Sequence, residues 1–171
     1  MKFPRTLALM SLLSLLPGFV RAEALKVGDK APGLGATTDA GTTLNLAEVY
    51  QKNNYTLVWF YPKASTPGCT KQGCSLRDAN TELQSKGVAI IGVSVDNIEA
   101  QKKFKTEQKF PFPLLADTDK KVVKAFGQSA MLFASREAYL IDRSGKVVYH
   151  DTGQTDKQAE RVLAFLNAKK S

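Results

Sequence analysis

Two cysteines, five residues apart, are the side chains of this sequence best suited to covalent chemistry. Cys69 follows a Thr66-Pro67 pair, which is typical of the start of a helix, and this places Cys69 in the first helical turn. The free N–H groups and the positive dipole end of that turn favour an anion, and a thiolate is the anion that cysteine can supply. The pattern therefore predicts that Cys69 is a nucleophile.

The second cysteine, Cys74, leaves two interpretations open. The pair would form a purely structural disulfide if the protein were exported, because disulfides persist in oxidising compartments. However, closing so short a loop stabilises little, and residues i and i+5 of an intact helix have Cα atoms about 8–9 Å apart, beyond the roughly 7 Å limit of a disulfide. We favour a redox pair, in which the helix unwinds locally before Cys74 reaches Cys69.

The composition gives little support to metal or cofactor chemistry. Two cysteines and a single histidine, His150, cannot supply the four nitrogen or sulfur ligands of a closed structural zinc site. No Cys-x-x-Cys-His haem attachment is present either. We expect no metal and no organic cofactor.

The cysteine segment lies between two predicted buried strands. Residues 55–61 and 88–95 are nearly unbroken apolar, β-prone runs, as expected of strands buried on both faces. Leu76, Ala79 and Leu83 have helical spacing between them. The order predicts a βαβ unit with a parallel pair of strands.

The remaining patterns complete an α/β domain. They predict helices over 98–108, over 120–126 and from 156, and strands at 114–116, 139–141 and 147–149, with an additional N-terminal strand at 42–46. This order predicts a thioredoxin-like fold: a central mixed sheet flanked by helices, with an N-terminal extension.

The first 22 residues read as a secretory signal peptide. Lys2 and Arg5 precede an apolar run at 7–16, and Val20 and Ala22 occupy the two positions that a signal peptidase reads. We expect cleavage after Ala22, an exported and periplasmic protein without stable membrane insertion, and one domain over residues 23–171. The alternative is an uncleaved anchor, although the run is shorter than the ~20 residues of a spanning helix.

The charge pattern does not favour a nucleic-acid partner. The formal net charge is +8, but the 24 basic residues are mostly scattered among 16 acidic ones. A nucleic-acid surface would need them clustered with aromatic or groove-reading side chains. A solvated cationic surface is the simpler interpretation.

The segment around the cysteines resembles the active-site signature of the peroxiredoxins. Pro62, Thr66 and Cys69 have the spacing of that signature, and the similarity is strongest to the bacterioferritin-comigratory, or Q-type, class. It extends over about residues 25–166. The stretches that carry it are residues 28–32, 60–74 and 76–78.

The resemblance implies a role for each site residue. The family's first cysteine, here Cys69, attacks peroxide and becomes a sulfenic acid, which Cys74 would resolve as an intramolecular disulfide. Thr66 would place its hydroxyl against the thiolate or the peroxide, with helix capping as an alternative or additional role. Arg136, which leads a segment similar to the family's arginine-led strand, would stabilise the thiolate and polarise the O–O bond. Pro62 would shield the thiolate from water.

The resemblance also implies substrates and a partner. It points to hydrogen peroxide and organic hydroperoxides, with a thioredoxin-like protein as reductant and a monomeric enzyme. Export would make a dedicated donor necessary, because each cycle ends in a disulfide and the compartment is oxidising. Arg77, in the helix after the cysteines, is either a further contributor or a surface residue.

One stretch departs from the family pattern. Residues 128–135 are shorter and more apolar than the resemblance leads us to expect. Substrate preference or self-association could differ there. The simplest interpretation of Met131, Leu132 and Phe133 is that they belong to the core.

Three other functions share some of these features. A thiol–disulfide oxidoreductase of the same fold needs Cys-x-x-Cys and a proline before the third core strand, but four residues separate these cysteines and no proline occurs between Gly127 and Tyr139. An exported copper-binding module could use both thiolates and His150, although such modules carry Cys-x3-Cys. A cysteine hydrolase using Cys69 and His150 lacks an evident orienting partner.

Gly73 bears on the proposed unwinding. Glycine inside a helix costs about 0.5–1 kcal/mol relative to alanine. The sequence therefore predicts that Gly73→Ala strengthens the helix and slows disulfide formation more than peroxide attack.

Overall fold

The computed structural model describes residues 23–129, 131–152 and 156–169. The predicted signal peptide, residues 1–22, lies outside the described residues. No helix within the described ranges has both the length and the apolar character needed to cross a membrane.

The described part of the chain contains seven strands and six helices. In chain order they are β1 (Gly35–Thr37), β2 (Thr43–Asn45), α1 (Leu46–Lys52), β3 (Tyr55–Phe60), α2 (Pro67–Asp78), α3 (Asn80–Ser85), β4 (Val88–Ser94), α4 (Ile98–Gln108), β5 (Leu114–Ala116), α5 (Lys121–Ala125), β6 (Glu137–Asp142), β7 (Val147–Asp151) and α6 (Gln158–Ala168).

Five of the strands form one mixed sheet in the order β5-β4-β3-β6-β7. β3 pairs in parallel with β4, and β4 with β5, whereas β6 runs antiparallel to both β3 and β7. β1 and β2 form a separate two-stranded hairpin before this sheet. The predicted thioredoxin-like fold, its parallel βαβ unit and its N-terminal extension are confirmed.

Two local features differ from the prediction. The helix predicted around Leu76, Ala79 and Leu83 is two helices, because the backbone at Ala79 (φ −90°, ψ 2°) leaves the helical region between α2 and α3. The strand predicted over 42–46 ends at Asn45, because the Asn45 side chain accepts a 2.9 Å hydrogen bond from the Ala47 N–H and starts α1. The patterns predicted neither α1 nor β1.

The sheet separates two apolar layers. One layer contains Cys69, and we call it the cysteine face. Leu57 and Trp59 of β3 face this layer, and α2, α4 and α6 pack there. Val58 and Phe60 face the opposite layer, which we call the far face, together with α1 and α5. This alternation follows from the two-residue period of a strand, and it decides which side chains can reach the thiol.

A carboxylate, an imidazole and a phenol meet on the far face. Glu137 Oε2 lies 2.8 Å from His150 Nε2 and accepts a hydrogen bond from the Tyr139 hydroxyl, whose ring stacks on the His150 ring. Burial alone would raise the pKa of Glu137, but the hydrogen bonds from His150 and Tyr139 outweigh it and hold this pKa below the ordinary value of 4.5.

We expect this cluster to make stability depend on pH. A carboxyl whose pKa is depressed on folding stabilises the protein above its unfolded pKa, and this contribution is lost as the pH falls through the folded value. Glu137→Gln should therefore lower the free energy of unfolding at pH 7 by about 1–3 kcal/mol, through loss of charged hydrogen bonds. Urea titrations should show less acid-dependent loss below pH 4.5 in the variant than in the wild type. Parallel pH curves would contradict the assignment.

Candidate active site

The first turn of α2 holds the predicted nucleophile. Thr66 has an extended backbone, and its carbonyl accepts the first helical bond from the Thr70 N–H at 2.9 Å. Pro67 opens the helix, and Cys69 lies in the first turn with no exposed surface. Its sulfur therefore lies near the unpaired N–H groups of the helix start, shielded from solvent.

In this state the Thr66 side chain has neither the thiol nor the helix start as its hydrogen-bond partner. Its hydroxyl donates a 3.0 Å hydrogen bond to the Lys63 carbonyl and makes no cap bond to the helix. Within the described part of the chain, no hydrogen bond joins it to Cys69. The hydroxyl closes the turn before α2 instead, so in this reduced state Thr66 shapes the loop.

That loop is tied to the end of the neighbouring strand. The Ala64 N–H donates a 2.7 Å hydrogen bond to Asp96 Oδ2, which also accepts from the Ser94 hydroxyl at 2.7 Å. Ser65 adopts φ 58°, a conformation that non-glycine residues hold only where their surroundings fix it. Asp96, which sequence reasoning missed, therefore positions the loop, while the shielding role of half-buried Pro62 stays a prediction.

Arg136 reaches the thiol from the start of β6. Its Nη2 lies 3.5 Å from Cys69 Sγ, and its Nη1 donates a 2.9 Å hydrogen bond to Gln72 Oε1. A Cβ at Gly68 would lie 3.2 Å from Nη2, so glycine leaves room for the guanidinium. The structure thus brings together the cysteine and arginine that the sequence singled out, with Gln72 as an additional partner.

Cys74 lies in the same helix as Cys69 but contacts different residues. Both cysteines are free thiols. Cys74 Sγ donates to Gln108 Oε1 at 3.7 Å, and Arg77 Nη1 donates to the Gln108 carbonyl at 2.8 Å. The hydrogen bond to Asp78 is the main cause that raises the pKa of Arg77, and the nearby Cys74 adds to it. Arg77 therefore lies beside Cys74.

His150 does not join the cysteines. It stacks on Tyr139, which belongs to the far face, whereas Cys69 lies on the cysteine face. In the described residues no group of three or more His, Cys, Asp or Glu side chains is placed to hold a metal ion. The geometry therefore gives no support to a copper site or a cysteine hydrolase built on His150.

The Met131–Phe133 segment corrects another expectation. These residues were expected in the core, but Met131, Leu132 and Phe133 are 82%, 74% and 50% exposed. They belong to the loop between α5 and β6, and none of the three is part of either apolar layer, so their hydrophobicity was no guide to burial.

Sequence and structure comparisons agree on one family. A model of the AhpC/TSA family matches residues 27–150. The chain is 34% identical over 146 residues to the chloroplastic peroxiredoxin Q of Suaeda salsa, which covers 82% of this chain and 67% of that protein.

Solved structures show the same similarity. The peroxidoxin BcpB of Mycobacterium tuberculosis superposes with a TM-score of 0.80 at 30% identity, over 86% of this chain and 99% of that one. The bacterioferritin comigratory protein of Xanthomonas campestris, studied for alkyl peroxide reduction, superposes with a TM-score of 0.76 at 28% identity, over 85% and 100% of the two chains.

The protein is a thiol-dependent peroxidase with a thioredoxin-like fold. This class is defined by the sheet order together with a buried cysteine at a helix start whose sulfur lies beside a guanidinium group. The chain belongs to the AhpC/TSA family, and its similarity is to the peroxiredoxin Q and bacterioferritin-comigratory proteins.

The surroundings of Gly73 overturn the prediction made for this position. A Cβ there would lie 2.4 Å from Phe110 Cζ. Phe110 is 3% exposed and is packed against Phe104 and Phe112, with ring centroids 4.9 and 5.3 Å away, so the ring has little room to move. Overpacking costs about 1–3 kcal/mol, more than the 0.5–1 kcal/mol that alanine gains in a helix.

We therefore expect Gly73→Ala to weaken the reduced helix. The variant should lower the free energy of unfolding of the reduced protein by about 1–2 kcal/mol and speed disulfide formation, because the clash is relieved when α2 unwinds. Denaturant titration and stopped-flow thiol loss measure the two effects. Lys71→Ala, an exposed change between the same cysteines, is the matched control and should not speed the reaction. Slower disulfide formation in Gly73→Ala would restore the original prediction.

Proposed function

We propose that this protein reduces hydrogen peroxide and organic hydroperoxides at Cys69, resolves the product with Cys74, and receives electrons from a thioredoxin-like protein. The observation that carries the proposal is the 3.5 Å approach of Arg136 Nη2 to the sulfur of a fully buried Cys69 in the first turn of α2.

The first step is displacement at a peroxide oxygen. The Cys69 thiolate attacks one oxygen, the O–O bond breaks, and the second oxygen leaves as water or an alcohol after taking up a proton. Cys69 becomes a sulfenic acid. The Arg136 guanidinium faces the sulfur in the reduced protein, so it stabilises the thiolate and is placed to stabilise the negative charge that moves onto the peroxide oxygens.

The second step needs a change of backbone. Cys69 and Cys74 both belong to α2, where their Cα atoms would lie about 8–9 Å apart, too far for a disulfide. Once α2 unwinds, the Cys74 thiolate attacks the sulfenic sulfur and the oxygen leaves as water. Two donor thiols then reduce the disulfide and regenerate both cysteines.

The substrate range and the location extend this proposal. Organic hydroperoxides are included because the Xanthomonas campestris relative is described by its alkyl peroxide reduction.

A periplasmic location is supported by the signal-like sequence of residues 1–22. Fractionation of cells producing the full chain should find a shortened protein in the periplasm, and an uncut cytoplasmic protein would reject export.

Cys74→Ser is the experiment that tests the cycle. Because Cys74 acts only after the first oxidation, the variant should react with peroxide as fast as the wild type in a single turnover. It should then accumulate the Cys69 sulfenic acid, detected by mass spectrometry after a dimedone-type trap, and consume little peroxide with a thioredoxin and thioredoxin reductase pair.

The matched control is Ser75→Ala, the next residue of the same helix, which should cycle normally. Full thioredoxin-dependent turnover by Cys74→Ser would reject Cys74 as the resolving cysteine. No reaction of the wild-type protein with any peroxide would reject the proposed function itself.

A further inference from the structure

A chain of two buried glutamines links the arginine of the active site to the C-terminal helix. Arg136 Nη1 donates to Gln72 Oε1 at 2.9 Å, and Gln72 Nε2 donates to Gln158 Oε1 at 2.7 Å. Gln72 has no exposed surface and Gln158 is 1% exposed. Gln158 is the first residue of α6, so this helix is linked to Arg136 through the hydrogen bond from Gln72 to the Gln158 side chain.

The direction of the hydrogen bonds follows from the chemistry of the groups. A guanidinium only donates, so the amide oxygen of Gln72 must face Arg136 and its NH2 must face away. That NH2 group is buried and therefore needs an acceptor, and Gln158 Oε1 supplies it. Loss of this acceptor would leave a buried donor unpaired and free Gln72 to rotate away from Arg136.

We propose that Gln158 is a positioning residue for peroxide reduction, which acts through Gln72 to hold Arg136 against the Cys69 sulfur. The inference rests on the proposed function, and it extends the site to a helix that contributes no group to the reaction itself. Gln72 lies on α2 one turn beyond Cys69, so its side chain spans from the nucleophile's helix to Arg136 and to α6.

The position of Gln72 adds a consequence for α6. It lies between the two cysteines, so the unwinding that forms the Cys69–Cys74 disulfide displaces its backbone and breaks its bonds to Arg136 and Gln158. In the disulfide form α6 keeps its ion pair between Arg161 and Asp151 at 3.0 Å and its apolar packing through Val162 and Leu166, but its first turn loses the glutamine contact. Oxidation should therefore loosen the first turn of α6.

The main test compares two substitutions of Gln158. Gln158→Met has similar size but removes the strong acceptor, and should slow the single-turnover reaction of Cys69 with peroxide about 3- to 10-fold, the effect expected for one buried hydrogen bond. It should also move the midpoint of the pH–rate profile to higher pH, because Arg136 stabilises the thiolate less well. Gln158→Glu keeps an acceptor oxygen whether ionised or neutral and should recover most of the rate.

Two further variants separate positioning from mere stability. Arg161→Ala removes the ion pair between α6 and Asp151 and should lower thermal stability without moving the pH–rate profile. Gln72→Met combined with Gln158→Met should be no slower than Gln72→Met alone, because both act through one chain of bonds. An unchanged profile in Gln158→Met, an equal shift in Arg161→Ala, no recovery in Gln158→Glu, or additive effects in the double variant would each overturn the proposal.

Two measurements keep the inference separate from the peroxidase reaction. The ultraviolet absorbance of the thiolate, followed against pH in a Cys74→Ser background, reports on Arg136 without any peroxide, and Gln158→Met should move its midpoint upward. Hydrogen exchange of the wild-type protein should be faster at residues 158–162 in the disulfide form than in the reduced form, even if Gln158→Met fails to fold. Identical exchange in the two forms, or identical absorbance curves, would reject the proposal while leaving the proposed function intact.

Discussion

Replacing Cys69 with serine should abolish peroxide reduction, with a loss of at least about 1,000-fold in turnover. A serine hydroxyl is not ionised near neutral pH, and the thiolate is the attacking group. Steady-state peroxide consumption with a thioredoxin pair and mass spectrometry for the oxidised cysteine both measure the loss. Circular dichroism of the variant checks that the buried substitution leaves the fold intact.

The matched control for Cys69→Ser is Cys74→Ser, which makes the same chemical change five residues away in the same helix. It should keep the first oxidation and lose only the later steps. If Cys69→Ser retained most of its turnover, or if both variants failed equally in a single turnover, Cys69 would not be the attacking residue.

Replacing Arg136 with alanine should slow the reaction of Cys69 with peroxide by roughly 100- to 1,000-fold. The change removes the cation 3.5 Å from Cys69 Sγ and leaves the buried Gln72 oxygen without its donor. The midpoint of the pH–rate profile should move to higher pH, because no cation then stabilises the thiolate. Stopped-flow kinetics over a pH series measures both effects.

Arg136→Lys and Arg143→Ala bracket this prediction. Lysine keeps the charge but lacks the planar fork that reaches Cys69 and Gln72 together, so it should recover only part of the rate. Arg143 lies at the other end of β6, where it bonds Asn53 and Asn54, and its removal should leave the peroxide reaction unchanged. An Arg136→Ala variant with the wild-type rate and profile would remove Arg136 from the mechanism.

Sequence patterns were sufficient for several elements whose signal is local. The apolar runs of β3 and β4 predicted the central parallel pair, and α4 begins and ends where its pattern predicted. Thr66 and Pro67 placed Cys69 in a first helical turn, because helix starts are specified by the few residues around them.

Some local predictions failed because contacts in the folded chain, rather than the residue pattern, set the element boundaries and the side-chain partners. Asn45 caps α1 and ends the strand expected there. The break between α2 and α3 occurs at Ala79, which is neither a glycine nor a proline, so no helix-breaking residue indicated it. The Thr66 hydroxyl donates to the Lys63 carbonyl and makes no cap bond to the helix. Met131, Leu132 and Phe133 are apolar yet exposed, because the loop that contains them does not bring these three side chains into either apolar layer.

The sequence by itself determined most of the order of strands and helices along the chain and the position of Cys69 at a helix start, and its motif pointed to Arg136 and Cys74 as partners of Cys69. Only the tertiary structure decided what surrounds them. Gln72 and Gln158 are separated by 86 positions, and Phe110 meets Gly73 from another element. Such contacts depend on how sheet and helices pack in three dimensions, and short-range spacing carries no information about distance between residues that are far apart in the chain.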